Sequence, residues 1–258
     1  SMEIWQAIVL GAVQGFAEFL PVSSSGHLML LEHWFGIQEG LFYSVMLHVG
    51  TLIPVIIVLW KEIVGLFKKP FNKFGCLVLA TIPAGVVGIA ASLLGIDDFF
   101  NEHIWLLGVT FLLTAAELLF SEFRAKKVEM INPINAKTGF IMGLGQAVGV
   151  FPGLSRSGTT VTAGVIAKVN KEYNANFTFL MSIPIIIAAA LLESYKCVKA
   201  GSIGNINVPA LVLGVLTAMV CGYISIKFML NIIKKANYKW FSLYLVFAAA
   251  AAFVTAIV

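Results

Sequence analysis

Two short polar stretches stand out in an otherwise apolar chain, and their residue types are those that handle phosphate. The first runs Gly11-Ala-Val-Gln14-Gly-Phe-Ala-Glu18-Phe-Leu-Pro21-Val-Ser23-Ser24-Ser25-Gly26-His27. The second runs Gly143-Leu-Gly-Gln146-Ala-Val-Gly-Val-Phe-Pro152-Gly-Leu-Ser155-Arg156-Ser157-Gly158-Thr159, followed by Thr160. A Ser-rich turn that runs into a helix presents unpaired N–H groups and a partial positive charge, which together bind anions. Ser23, Ser24, Ser25, Ser155, Ser157, Thr159 and Thr160 add hydroxyls, so two such turns facing one point form a phosphate cradle. Each serine alone is most simply a helix cap. The two matched clusters argue for more than capping.

Arg156 sits inside an apolar stretch, where a charge costs about 2.5–3.5 kcal/mol on insertion scales. Ser24 holds the equivalent position in the first stretch, so capping does not require a guanidinium. Its planar fork suits paired contacts to phosphate oxygens, a reading that outweighs a structural ion pair with Glu18. Glu18 is the one carboxylate inside either stretch, a helical turn after Gln14. That pair of oxygen ligands could hold a hard divalent cation, or Glu18 could orient or polarise His27. His27 follows Ser24 by three residues, in the turn with the hydroxyls. Ser24, His27 or a water could attack phosphorus, with His27 slightly favoured because neutral imidazole needs no base. His48, within an apolar run beside Gly50 and Thr51, reads as a packing residue, and His33 and His103 as structural or interfacial ones. An anion cradle with Glu18, Ser24, His27 and Arg156 as catalytic groups is the equipment of phosphoryl transfer.

The elements that carry these stretches follow from their apolar context. The two align at an offset of 132 residues, with Gly11, Gln14, Phe19, Ser23, Ser25 and Gly26 matched by identical residues. Each is followed by three apolar runs long enough to cross a hydrocarbon core of about 30 Å: Leu41–Trp60, Phe74–Gly95 and Ile104–Phe120, then Phe177–Leu192, Val208–Leu230 and Phe241–Val258. Pro54 and Pro184 each fall near the middle of one run in their half. The expected fold is an all-α polytopic membrane protein with about six transmembrane helices. Its single membrane domain, residues 1–258, divides into repeats of about 2–125 and 133–258. Three crossings per half invert the second repeat relative to the first. The motif stretches, roughly 4–36 and 136–169, are broken by Pro, Gly and Ser, and irregular backbone at membrane depth must be buried or line a wet cavity. They therefore read as two re-entrant helical hairpins whose turns meet near the midplane.

Composition agrees. Of the 258 residues 59% are hydrophobic and only 12% charged, about half the charge of a soluble domain. A net charge of +4, spread along the chain, excludes a nucleic-acid partner. Cys76, Cys197 and Cys221 are scattered singly, as small apolar fillers. Ser1 before Met2 reads as an addition outside the argument, and Gln14 and Glu18 speak against a cleavable signal in the first apolar stretch. Lys61, Lys68, Lys69 and Lys73, then Arg124, Lys126, Lys127 and Lys137, then Lys227, Lys234, Lys235 and Lys239 mark cytoplasmic connections. Asp97, Asp98 and Glu102 mark an external one, which leaves both termini outside.

Gln14 to His27 and Pro152 to Thr160 together resemble the undecaprenyl-pyrophosphate phosphatase, or bacitracin-resistance, family. Its signatures are Glu/Gln-x-x-x-Glu followed by Pro-Val-Ser-Ser-x-Gly-His, and Pro-Gly-x-Ser-Arg-Ser-x-x-Thr. The resemblance covers essentially the whole chain. It implies removal of the terminal phosphate of undecaprenyl pyrophosphate, a polyprenyl diphosphate lipid, recycling the carrier for cell-wall synthesis. It further implies the bacterial cytoplasmic membrane, a site opening to the outer face, a homodimer, and a divalent cation, Mg²⁺ or Ca²⁺. Glu18, Ser24, His27, Arg156 and Thr160 match family functional residues, with Ser23, Ser155 and Ser157 beside them. Position 14 is Gln where many members have Glu, so Gln14 and Glu18 offer a metal one carboxylate. Inverted repeats with broken helices are also the plan of secondary transporters, so a flippase or transporter for a phosphorylated lipid or anion is the alternative. Single cysteines at Lys69 and Asp98 in a Cys-free background are expected to label from opposite sides of the membrane. Labelling from one side overturns the inversion.

Overall fold

The computed structural model describes residues 2–37, 40–69, 72–199 and 207–257. Ser1, read above as an addition, and Val258, read as an external terminus, lie outside the described residues. Thirteen helices and no strand occur among them. The first motif stretch forms a helix–turn–helix, α1 (Ile4–Phe19) and α2 (Ser24–Phe35). Next come α3 (Gly40–Val58), α4 (Trp60–Leu66), α5 (Asn72–Leu93), α6 (Ile96–Glu102) and α7 (Trp105–Lys127). The second stretch repeats the helix–turn–helix as α8 (Ala136–Val148) and α9 (Arg156–Ile166). The chain ends with α10 (Lys171–Leu180), α11 (Ser182–Lys199), α12 (Val208–Lys235) and α13 (Lys239–Thr255).

Four segments are long and apolar enough to cross a membrane: α5, α7, the α10–α11 run Lys171–Lys199, and α12. The α3–α4 pair, bent by 82° at Leu59, makes a fifth. The sixth expected crossing corresponds to α13, an apolar helix of 17 residues, roughly 26 Å long at 1.5 Å per residue. The chain is thus a multi-pass helical membrane protein with four to five such segments. Its polarity is arranged accordingly. Leu93, Phe247 and Val86 are 82%, 67% and 63% exposed, whereas Gln14, Gln146, Thr51 and Thr114 are fully buried. An apolar exterior around a polar interior suits lipid as the surrounding solvent. Pro184 falls in the first turn of α11, at the break after α10, where a missing N–H costs no intrahelical bond.

The helix pairing is crossed between the halves. α1 lies chiefly against α12, and α8 against α5. Backbones meet there because glycines leave out a side chain. A Cβ on Gly11 would strike the Gly214 carbonyl, and one on Gly143, at the matched position, the Ala80 carbonyl. The small residues Gly11, Gly15 and Gly143 thus serve contacts between each motif helix and the other half of the chain. α7 pairs with α13, and its Glu122 caps α13, accepting from the Tyr238 and Lys239 N–H groups at 2.6 and 2.8 Å. Gly143→Ala is expected to cost about 1–3 kcal/mol by overpacking. Gly75→Ala, whose Cβ meets open space, should be neutral or stabilising. Thermal unfolding in detergent checks the pair, and equal midpoints would refute the close approach.

Candidate active site

The two turns are built alike. Ser23 Oγ accepts from Gly26 N–H at 3.3 Å and starts α2, and Ser155 Oγ accepts from Gly158 N–H at 3.1 Å and starts α9. Ser23 holds φ at +69°, an uncommon conformation for a side-chain-bearing residue and one that clusters at functional sites. His27 supports it, since its Nδ1 donates to the Ser23 carbonyl at 2.8 Å. Gly153 requires its own φ of +82°. A Cβ on Gly26 would sit 2.9 Å from the Gly153 Cα, so the turns touch through these two glycines. Thr114 of α7 ties down the second turn, donating to the Gly153 carbonyl and accepting from Ser155 N–H, both at 3.3 Å.

Glu18 joins the turns. Its Oε1 accepts from Arg156 Nη2 at 2.6 Å, and its Oε2 accepts from Ser24 Oγ at 2.8 Å and Gln14 Nε2 at 3.1 Å. The ion pair between Glu18 and Arg156, the alternative to a phosphate clamp, is therefore present. It occupies one arm of the guanidinium only. Arg156 Nη1 is buried with no partner among the described residues. Ser157 Oγ donates across to the Leu20 carbonyl at 3.3 Å. The expectation that the two turns meet holds.

A cavity of about 660 Å³ opens over this junction. Glu18, Ser23, Ser24, Ser25, Ser155 and Arg156 contribute to its polar floor, with Gln146 and His48 beside them. Its walls come from small and apolar residues of α5 and α11, among them Ala84, Gly88, Ile89, Ile185, Ile186 and Ala189. Gly85 and Gly88 face open space there. Asp97 and Glu193 also line it, the latter paired with Lys196 at 2.8 Å. Burial, reinforced by Glu193 and offset by Lys196, pushes the Asp97 carboxyl above its ordinary range.

Not every expected residue faces this space. His27 is not among the lining residues. In the neutral ring its Nε2 accepts from the Tyr244 hydroxyl at 2.7 Å, and the imidazole stacks on that ring. Thr159 and Thr160 donate to the helix carbonyls of Ser155 and Arg156 at 3.0 and 2.7 Å, as mid-helix hydroxyls do. His48, by contrast, reaches the site, its Nε2 lying 3.7 Å from Glu18 Oε2 while Nδ1 donates to the Ser44 carbonyl. A lone histidine in an apolar run is a faint signal for this, because its partner comes from another helix.

The donor set does not fit a divalent ion held by Gln14 and Glu18. Both oxygens of the one carboxylate are engaged by Arg156, Ser24 and Gln14, and Gln14 Oε1 is the one oxygen of the pair without a partner. No cluster of three or more His, Cys, Asp or Glu suited to a metal occurs among the described residues. Hard dications take six or more oxygens.

Fold and site together define a multi-pass helical membrane protein with a cavity over the junction of its two motif turns, lined by hydroxyls, a carboxylate and a guanidinium. The chain belongs to the bacitracin resistance protein BacA family, whose profile matches residues 7–251. Among curated relatives, a protein named undecaprenyl-diphosphatase from Bacteroides fragilis is 41% identical, covering 94% of each chain. Its namesake from Bacteroides thetaiotaomicron is 40% identical over 97% of this chain and 98% of its own. Another, from Carboxydothermus hydrogenoformans, is 36% identical over 94% of both.

Arg156→Lys retains the charge beside Glu18 but not two donors in a fixed plane. It is expected to lower kcat at least about 10²-fold, the size of one lost oxyanion donor, in protein that still folds. Near-wild-type turnover would remove the second arm from the argument.

Proposed function

We propose that this chain hydrolyses undecaprenyl diphosphate to undecaprenyl phosphate and inorganic phosphate, returning the lipid carrier to bacterial cell-wall synthesis. The observation that carries this is the cavity floor. Glu18 holds Ser24 on one oxygen and Arg156 on the other, at two helix N-termini, beneath apolar walls from α5 and α11. Such a space accepts a charged headgroup and an apolar chain at once. The names of the relatives, each covering nearly the full chain, support the same substrate.

In this reading Ser24 is the nucleophile. Its Oγ attacks the terminal phosphorus and its proton passes to Glu18 Oε2. The bond from phosphorus to the bridging oxygen breaks, and the lipid monophosphate leaves. Water then attacks the phosphoserine, and Glu18 returns the proton to Ser24 Oγ as inorganic phosphate departs. Arg156 and the N–H groups of α2 and α9 neutralise charge on the phosphate oxygens. Ser23, Ser25 and Ser155 surround that charge, while Ser157, Thr159 and Thr160 brace the second turn. His27, its lone pair taken by Tyr244, acts as a positioning residue for Ser23 and Ser24. The donors at Gln14 and Glu18 do not fit the Mg²⁺ or Ca²⁺ implied by the sequence resemblance, and a divalent cation carried by the diphosphate would offset phosphate charge there.

The crossed packing of α1 on α12 and α8 on α5 supports two repeats of about 2–125 and 133–258 with inverted topology. The motif hairpins are then re-entrant in the bacterial inner membrane. The loop charges favour both termini and the cavity mouth on the outer side, and dimerisation follows from the family resemblance alone.

The test is phosphate release from undecaprenyl diphosphate by purified protein in detergent, where there is no membrane to cross. Turnover is expected. Its absence would sink the hydrolase reading and favour transport. A trapped phospho-enzyme should survive acid and be lost in base, as phosphoserine is. The opposite stability would transfer the nucleophile to His27.

A further inference from the structure

We propose that Gln146, which lies outside both family signatures, binds the phosphate that stays on the lipid. Its side chain is fully buried, yet neither Nε2 nor Oε1 has a partner among the described residues, and the residue lines the cavity. An amide buried without a partner is destabilising, so its presence calls for a ligand that satisfies it.

The repeat explains how the amide came to be free. Gln14, at the matched position, spends its Nε2 on Glu18, four residues on. The residue four beyond Gln146 is Val150, which also lines the cavity and can accept nothing. Gln146 therefore keeps the geometry of Gln14 without its carboxylate, and its N–H donors remain for a phosphate oxygen.

Position along α8 selects which phosphate. Glu18 and Ser24 define the end of the cavity where the terminal phosphorus is attacked. Gln146 follows Gly143 by a turn, and Gly143 packs on Ala80 of α5. The next turns of α5, at Ala84 and Gly88, form the apolar wall. Gln146 thus shares the cavity lining with that wall, which would hold the prenyl chain, and in this proposal it takes the phosphate linked to the lipid. As the bond to phosphorus breaks, negative charge grows on that leaving group, where a fixed donor lowers the barrier. This assignment rests on the hydrolase reading.

Gln146→Leu removes the amide while nearly keeping the volume. A mere structural filler should gain stability from losing two unpaired polar atoms and keep its activity. The proposal expects an unchanged or higher thermal midpoint with kcat/KM at least about 10-fold lower, most of it in kcat. It also expects the midpoint shift produced by undecaprenyl phosphate to shrink, with inhibition by inorganic phosphate unchanged. The midpoint shift needs no turnover, so it tests Gln146 even if wild-type protein releases no phosphate, an outcome that would count against the hydrolase reading alone. Wild-type kcat/KM and an unaltered shift in Gln146→Leu would overturn the proposal, and weakened inhibition by inorganic phosphate would overturn the choice of phosphate. Should Gln146→Leu not fold, the isosteric Gln146→Glu gives the same readouts, with like-charge repulsion deepening the expected losses.

Discussion

The rest of the site depends on one buried ion pair, between Glu18 at the end of α1 and Arg156 at the start of α9. Side-chain exposures of 5% and 14% leave both groups little water. In such a setting the attraction outweighs desolvation only if the remaining polar atoms are also satisfied. Ser24 and Gln14 do this for Glu18, whereas Arg156 Nη1 has no partner among the described residues; the proposed function assigns that arm to the incoming phosphate. Removing either partner strands a charge, at a cost of about 3–5 kcal/mol in comparable buried pairs. The glycines that let the turns touch, Gly26 and Gly153, are conditions for this contact. So is Thr114, which ties down the backbone of the second turn at Gly153 and Ser155.

The matched stretches provide shape twice and chemistry once. Their serine caps, Ser23 and Ser155, do the same work in both turns. Other polar positions differ: Glu18 aligns with Val150, Ser24 with Arg156, and His27 with Thr159. Two identical turns would set carboxylate against carboxylate or guanidinium against guanidinium, and like charges so close in an apolar medium repel strongly. The differences at these positions make the two turns complementary, an acid with a hydroxyl facing a cation.

What could be read along the chain was what depends on neighbours in sequence. The apolar runs, the Ser-rich turns and the exceptional Arg156 were legible because helix caps and membrane insertion are local properties. The 17-residue α13 and the bend at Leu59 set the number of crossings, and both depend on where helices end, the least legible feature of a sequence. His48 looked like packing because its partner, Glu18, lies on a different helix. His27 looked reactive from its place among hydroxyls, but Tyr244, 217 residues away, holds its second nitrogen. Thr159 and Thr160 read in sequence as phosphate ligands, whereas in the structure their hydroxyls donate to carbonyls of their own helix turn. In each case the side chain's partner decides its role, and tertiary packing chooses the partner.

Charge balance then bears on the cation. With Glu18 and Arg156 paired, the cavity floor carries no net charge beyond the helix N-termini. A diphosphate brings several negative charges into this water-poor space, and one free guanidinium arm with two helix ends, each worth about half a charge, cannot match them all. A second carboxylate at position 14 would deepen the imbalance unless it held a metal of its own. Gln14 avoids that, donating to Glu18 where a glutamate would repel it. In the proposed reaction a countercharge carried by the diphosphate would suit this donor set, with the protein supplying hydroxyl and amide dipoles around it.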